Sequence, residues 1–172
     1  MPTNSFRYLI SGASAVLALA SLGFPSPAHA TPQDSCGVDL ASPVIQSALA
    51  AQPSPFPDAE WSRDPGSFEG NFDPCATLSV VIAPIDRATG SSPSVAMLFH
   101  RGACVGPATP TPRGFTSFDA SGTRDDTVSL RYKIPGSCNA CADGTHRTVR
   151  YQWREDQPST GGVHRLDPLP PG

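Results

Sequence analysis

Thr127-Val-Ser-Leu-Arg-Tyr-Lys-Ile134 and Thr145-His-Arg-Thr-Val-Arg-Tyr-Gln-Trp153 are the two stretches whose reading decides the fold. In the first, Val128, Leu130, Tyr132 and Ile134 alternate with Ser129, Arg131 and Lys133. In the second, Val149, Tyr151 and Trp153 alternate with Thr148, Arg150 and Gln152. Successive side chains of a strand point to opposite faces, so a period of two predicts antiparallel strands with one dry face and one wet face. Between them, Pro135-Gly136 and Asp143-Gly144 punctuate a hairpin loop.

Working outward, the segment Thr77 to Ala83 is rich in β-branched residues and stops at Pro84, which has no N–H for a ladder; this predicts an edge strand or a bulged one. In Ser94 to His100, Val95, Met97 and Phe99 alternate with Ala96, Leu98 and His100. Arg101-Gly102 predicts a tight turn, with Ala103 to Thr109 returning as the next strand and Pro110 to Asp126 as loop. Further upstream, Pro43 to Gln52 reads as a short helix with Ser42 as N-cap, Pro43 at its first position, and Val44, Ala48 and Ala51 in one apolar stripe. Pro53, Pro55 and Pro57 end it, and Trp61 and Phe68 belong to a loop laid over the core. The expected fold class is α+β, an N-terminal helix packed on a roughly five-stranded antiparallel β-meander.

The two ends of the chain read differently. Arg7, an apolar run from Tyr8 to Phe24 and Ala28-His29-Ala30 have the three parts of a secretory signal, so residues 1–30 are expected to be a signal peptide removed after Ala30. Residues 31–155 are then one domain, and residues 156–172, rich in Pro and Gly, an expected disordered tail. The formal net charge is −3, without the basic stripe that a nucleic-acid partner requires. Past the signal there is no second apolar span, hence no expected transmembrane segment. All five cysteines, Cys36, Cys75, Cys104, Cys138 and Cys141, follow Ala30, where an oxidising compartment makes disulfides the expected state.

Four runs in fixed order carry a family likeness: Asp73-Pro74-Cys75-Ala76-Thr77-Leu78-Ser79, Ala88-Thr89-Gly90-Ser91-Ser92-Pro93, Leu98-Phe99-His100-Arg101-Gly102, and Gly106 to Thr109. Together they resemble the LppP/LprE lipoprotein family of actinobacteria, a likeness extending from about Cys36 to Trp153. The resemblance implies a secreted or cell-envelope location and no assigned activity. Two features depart from it. Gln33-Asp34-Ser35 before Cys36 is not a lipobox, so lipid anchoring is not expected and Cys36 is expected to bridge to Cys75. Cys104, Cys138 and Cys141 look like additions to the family pattern.

No constellation in the sequence marks an enzyme. Cys138-Asn-Ala-Cys141 has the spacing of a redox pair but sits in a hairpin loop, without the following helix that would lower a thiol pKa. Cys138, Cys141 and His146, with Cys104 as a fourth ligand, have zinc-like spacing, but bridges are the default outside the cytoplasm, and neither metal nor cofactor is expected. His100 flanks a turn, His164 lies in the tail, and Asp125-Asp126 are adjacent loop charges. The wet face of the last hairpin carries Arg131, Lys133 (the only lysine) and Arg150, a candidate anion-binding face. In a single meander, Cys104 and the loop after the fourth strand share one end, which predicts a bridge from Cys104 to Cys138 or Cys141. The leading functional reading is a non-catalytic module binding an envelope or wall component; the alternative is a thiol-active or other envelope enzyme using Cys138 and Cys141.

Overall fold

The structure is a computed structural model that describes residues 35–139, 141–156 and 162–171. The expected signal peptide lies outside these residues. Helix α1, Pro43–Ala50, forms because its ends are satisfied locally: Ser42 Oγ accepts from the Val44 N–H at 3.4 Å, and Pro43 occupies the first turn, where no N–H is needed. Its buried face is Ile45, Ala48 and Leu49.

Nine strands follow among the described residues: β1 (Glu69–Gly70), β2 (Ser79–Pro84), β3 (Pro93–His100), β4 (Ala103–Pro107), β5 (Arg113–Gly114), β6 (Thr116–Phe118), β7 (Thr127–Ile134), β8 (Thr145–Trp153) and β9 (Val163–Arg165). They make two antiparallel sheets. The first runs β1-β2-β3-β4, with β5 also paired to β3; the second runs β6-β7-β8-β9. The expected helix on a five-stranded meander is overturned: the chain is mostly β, and the strands divide between two sheets.

The division follows from the side chains. On β2 and β3, Val81, Ala83, Val95, Met97 and Phe99 pack with α1, Trp61, Phe68 and Phe72. The alternate residues Val80, Ile82, Ala96 and Leu98 pack with Val128, Leu130, Tyr132, Val149 and Tyr151 of the second sheet. The first sheet therefore has two dry faces and needs a cover on each, which one helix cannot supply. Its two middle strands read as near-continuous apolar runs for that reason. Only the second sheet has the one-sided pattern that its sequence shows, with Ser129, Arg131 and Arg150 on its outer face.

Three further expectations are corrected. β2 is not an edge strand: Glu69 and Gly70 pair with Ile82 and Val81 on its far side, and Pro84 is tolerated because it lies at the strand's last position, beyond their reach. The tail is not wholly disordered: β9 pairs with β8, and Val163 and Leu169 pack against the inter-sheet core. Cys104 is exposed and free on β4, while Cys138 bridges Cys141 with Cα atoms 5.0 Å apart. The Arg101–Gly102 turn exists, with φ of 46° and 77°, so the turn was not the error. The error lay in placing β4 and the β7–β8 loop in one sheet. Cys36 and Cys75 are bridged with Cα atoms 5.3 Å apart.

Candidate functional site

The chain leaves the first sheet and enters the second at one residue. β4 ends at Pro107, the Ala108 N–H still donates to the Ala96 carbonyl of β3 at 2.8 Å, and Pro110 and Pro112 beyond it offer no N–H for further pairing; the chain pairs with β3 again through β5. Phe115, between β5 and β6, has φ of 54°, a left-handed conformation uncommon outside glycine, and it turns the chain onto β7. The Lys133 N–H donates to the Phe115 carbonyl at 3.3 Å, fixing this corner to the end of β7.

Lys133 then reaches across to the disulfide loop. Its Nζ donates to the Asn139 carbonyl at 2.9 Å and to the Cys141 carbonyl at 2.8 Å, and lies 4.9 Å from the centroid of the Phe115 ring. The loop is fixed a second time by the Cys138–Cys141 bridge and a third by Asp143, whose Oδ2 accepts from the Ser137 N–H at 2.9 Å. That hydrogen bond holds the Asp143 carboxyl below the usual carboxylate range. Gly144 closes the loop because a Cβ there would meet the Ile134 carbonyl oxygen at 2.8 Å.

Between corner and loop lies an open cleft of about 280 Å³, lined by residues that include Thr111, Arg113, Phe115, Lys133, Asn139 and Pro171. None of the described lining residues has an acidic side chain. Arg113 projects from β5 with its guanidinium 5.9 Å from the Tyr132 ring centroid, and its Nη1 is 3.5 Å from the Pro171 carbonyl. Among the described residues neither Arg113 nor Lys133 is in a salt bridge; the pairs are Arg87–Asp86 and Arg150–Asp167. Below Arg113 the Tyr132 and Tyr151 hydroxyls share a buried hydrogen bond of 3.0 Å. Burial pushes both phenols above their ordinary range.

The other sequence candidates are placed elsewhere and are taken up structurally. Arg150 donates from Nε to Asp167 Oδ2 at 2.9 Å and from Nη2 to Oδ1 at 3.0 Å, a bidentate pair. Arg131 stays exposed on the outer face. The anion face read from sequence is therefore split: Arg150 is paired internally, Arg131 stands alone, and Lys133 belongs to the cleft. His100 is not a solvated turn residue. Its Nδ1 lies 2.6 Å from the Thr77 carbonyl, a distance that makes it the donor, and its ring stacks on Trp153 at 3.6 Å and 8°. Asp125 accepts from the Thr77 N–H and hydroxyl, and Asp126 from Thr127 and Gln152. His146 and His164 lie opposite Lys133 and Gln152 in the strand register. The bridge between Cys138 and Cys141 takes two thiols that a zinc reading would use, and it is the oxidised state of the pair that a redox reading would use.

Arg113 was missed in the sequence. Thr-Pro-Thr-Pro before it reads as loop, and no local pattern announces a two-residue strand that pairs back to β3.

The sequence profile of the LppP/LprE lipoprotein family matches residues 70–156. Over 134 residues the chain is 33% identical to "Putative lipoprotein LprE" of Mycobacterium tuberculosis (strain H37Rv), covering 77% of this chain and 59% of that protein. Over 130 residues it is 34% identical to the protein of the same name from Mycobacterium leprae (strain TN), covering 75% of this chain and 60% of that one. The chain thus spans about 59–60% of the length of these relatives. No solved structure matches it.

Proposed function

Because the chain belongs to the LppP/LprE lipoprotein family, we propose that it is a cell-envelope protein, working outside the cytoplasmic membrane, that acts by binding an envelope component and not by catalysis. The observation that carries this reading is the assignment of reactive groups within the fold. His100 is held between Thr77 and Trp153, and Asp125 and Asp126 satisfy backbone and side-chain donors. The basic cleft beside Lys133 is a place where two cations converge with hydrogen-bonding capacity left. No helix among the described residues is long and apolar enough to cross a membrane, so retention at the envelope would fall to a partner or to the segment before Cys36.

Cell fractionation with N-terminal sequencing tests the location. The expected product is found in the wall, membrane or medium fraction and begins at Thr31, unlabelled by a fatty-acid analogue. Material that stays in the cytosol and begins at Met1 would overturn it. The enzyme alternative is separated by an insulin-reduction assay with dithiol reductant. The wild type should not accelerate reduction above the Cys138→Ser/Cys141→Ser variant; a rate that depends on both cysteines would replace the binding reading.

A further inference from the structure

We infer that the cleft between the Phe115 corner and the disulfide loop is a binding site for an oxyanion, a carboxylate or phosphate group carried on a sugar-sized ligand. This deepens the binding reading above and rests on it.

Four observations converge on the cleft. The chain carries a net charge of −3 and a single lysine, and that lysine lines the same cleft as Arg113, with no acidic side chain among the described lining residues. Both cations lack a carboxylate partner among the described residues, whereas Arg150 on the same sheet has one. Asp143, the carboxylate that feels the Lys133 charge, is already engaged with the Ser137 N–H, which does most to hold it below the usual range. An ammonium has three N–H donors, and two of those on Lys133 are taken by the Asn139 and Cys141 carbonyls, leaving one for a ligand. Among the described residues the Arg113 guanidinium makes one long hydrogen bond, to the Pro171 carbonyl, which leaves most of its five donors available.

The site is also rigid in advance of any ligand. The Cys138–Cys141 bridge and the Lys133 hydrogen bonds fix the loop wall, and the left-handed Phe115 fixes the opposite one. Left-handed backbone at a bulky residue persists only where the surroundings enforce it, and such strain gathers at ligand sites. A wall ordered beforehand loses less entropy on binding, which suits recognition of a small group. The volume of about 280 Å³ lies just below the ~300–1,000 Å³ of small-ligand clefts, room for one charged group and part of the sugar that carries it.

The single lysine makes the test direct. Protein grown with isotope-labelled lysine gives one side-chain signal, that of Lys133, which can be followed by NMR during titration. Glucuronate and glucose 6-phosphate should each shift it saturably, while neutral glucose should not. Arg113→Gln should weaken that binding roughly tenfold or more, as loss of a charge-assisted hydrogen bond does. If Arg113→Gln fails to fold, the wild-type titration repeated at raised salt serves instead, where affinity should fall with ionic strength. Binding to vesicles of phosphatidylglycerol and not of phosphatidylcholine, tighter than to glucose 6-phosphate, assigns the anion to an anionic lipid; binding to glucose 6-phosphate and to neither vesicle assigns it to a soluble ligand. A Lys133 signal indifferent to every anion, or moved equally by glucose, would overturn the site. So would an equal loss in Arg131→Gln, which would assign the anion to the open sheet face. Neither result bears on envelope location or on the insulin assay, so the binding reading would stand or fall separately.

Discussion

Met97 and Leu98 are neighbours on β3 whose side chains point to opposite faces, and replacing each with alanine asks whether both faces are dry. Met97 is 0% exposed in the layer under α1, and Leu98 is 2% exposed between the two sheets. Truncating a buried Met or Leu removes transfer free energy and leaves a cavity, together about 2–5 kcal/mol. With a urea m-value of ~2 kcal/mol/M, a loss of ~3 kcal/mol lowers the midpoint by about 1.5 M. Urea unfolding of the oxidised protein, followed by tryptophan fluorescence and circular dichroism together, measures both. Arg131→Ala, on the outer face of the second sheet, serves as the reference and should change stability by less than ~0.5 kcal/mol. The expected result is a similar, large loss for both core variants. A large loss in Met97→Ala with Leu98→Ala at the level of Arg131→Ala would refute the face-to-face sheets and restore a sheet with one wet face.

Other perturbations reach different parts of the structure. Tyr132→Phe leaves the Tyr151 hydroxyl buried without its 3.0 Å partner and should cost ~1–3 kcal/mol, whereas the Tyr132→Phe/Tyr151→Phe pair should cost less than the sum of the single changes; additive losses would contradict the hydrogen bond. Peptide mapping without reductant should give Cys36–Cys75 and Cys138–Cys141 linkages, with one thiol, Cys104, reacting in the native state; a Cys104 linkage to either loop cysteine would contradict the two-sheet order. Stability should also fall in acid. The Ser121 hydroxyl beside Asp119, the Thr77 hydroxyl beside Asp125 and the Arg150 guanidinium beside Asp167 hold these carboxyls below the ordinary range. A depressed folded-state pKa adds stability above the unfolded value of ~3.9 and loses it as pH falls through the folded value, so unfolding midpoints should be level near neutrality and drop below about pH 4. Asp125→Asn should flatten that drop, and an unchanged profile would remove Asp125 from the account.

The second sheet was legible because its strands have one polar face: Ser129, Arg131 and Arg150 mark every second position, and the period of two is visible without any knowledge of neighbours. The first sheet was misread for the opposite reason. Val80-Val81-Ile82-Ala83 and Val95-Ala96-Met97-Leu98-Phe99 are apolar at every position, which signals two covered faces, but alternation between larger and smaller apolar residues hid it. The helix was recognisable from its cap alone. Of the candidate site, Lys133 stood out by being the sole lysine, while Arg113 and Phe115 did not. Their position depends on a chain crossing between sheets, which is set by long-range pairing of Arg113 with Ser94 and of Thr116 with Tyr132. Val163 to Arg165 was hidden similarly: a three-residue strand amid Gly and Pro has too little pattern, and its order comes from pairing with β8 and from Asp167 meeting Arg150.

A photo-crosslinking amino acid placed at Phe115 in living cells tests most directly whether the protein works by binding an envelope component through this cleft. The same probe at Arg131 reports the open sheet face. Illumination of intact cells should give an adduct from position 115 and not from position 131, recovered in the envelope fraction and reduced when Arg113→Gln is added. No adduct from position 115, or equal adducts from both positions, would contradict a cleft-centred binding function.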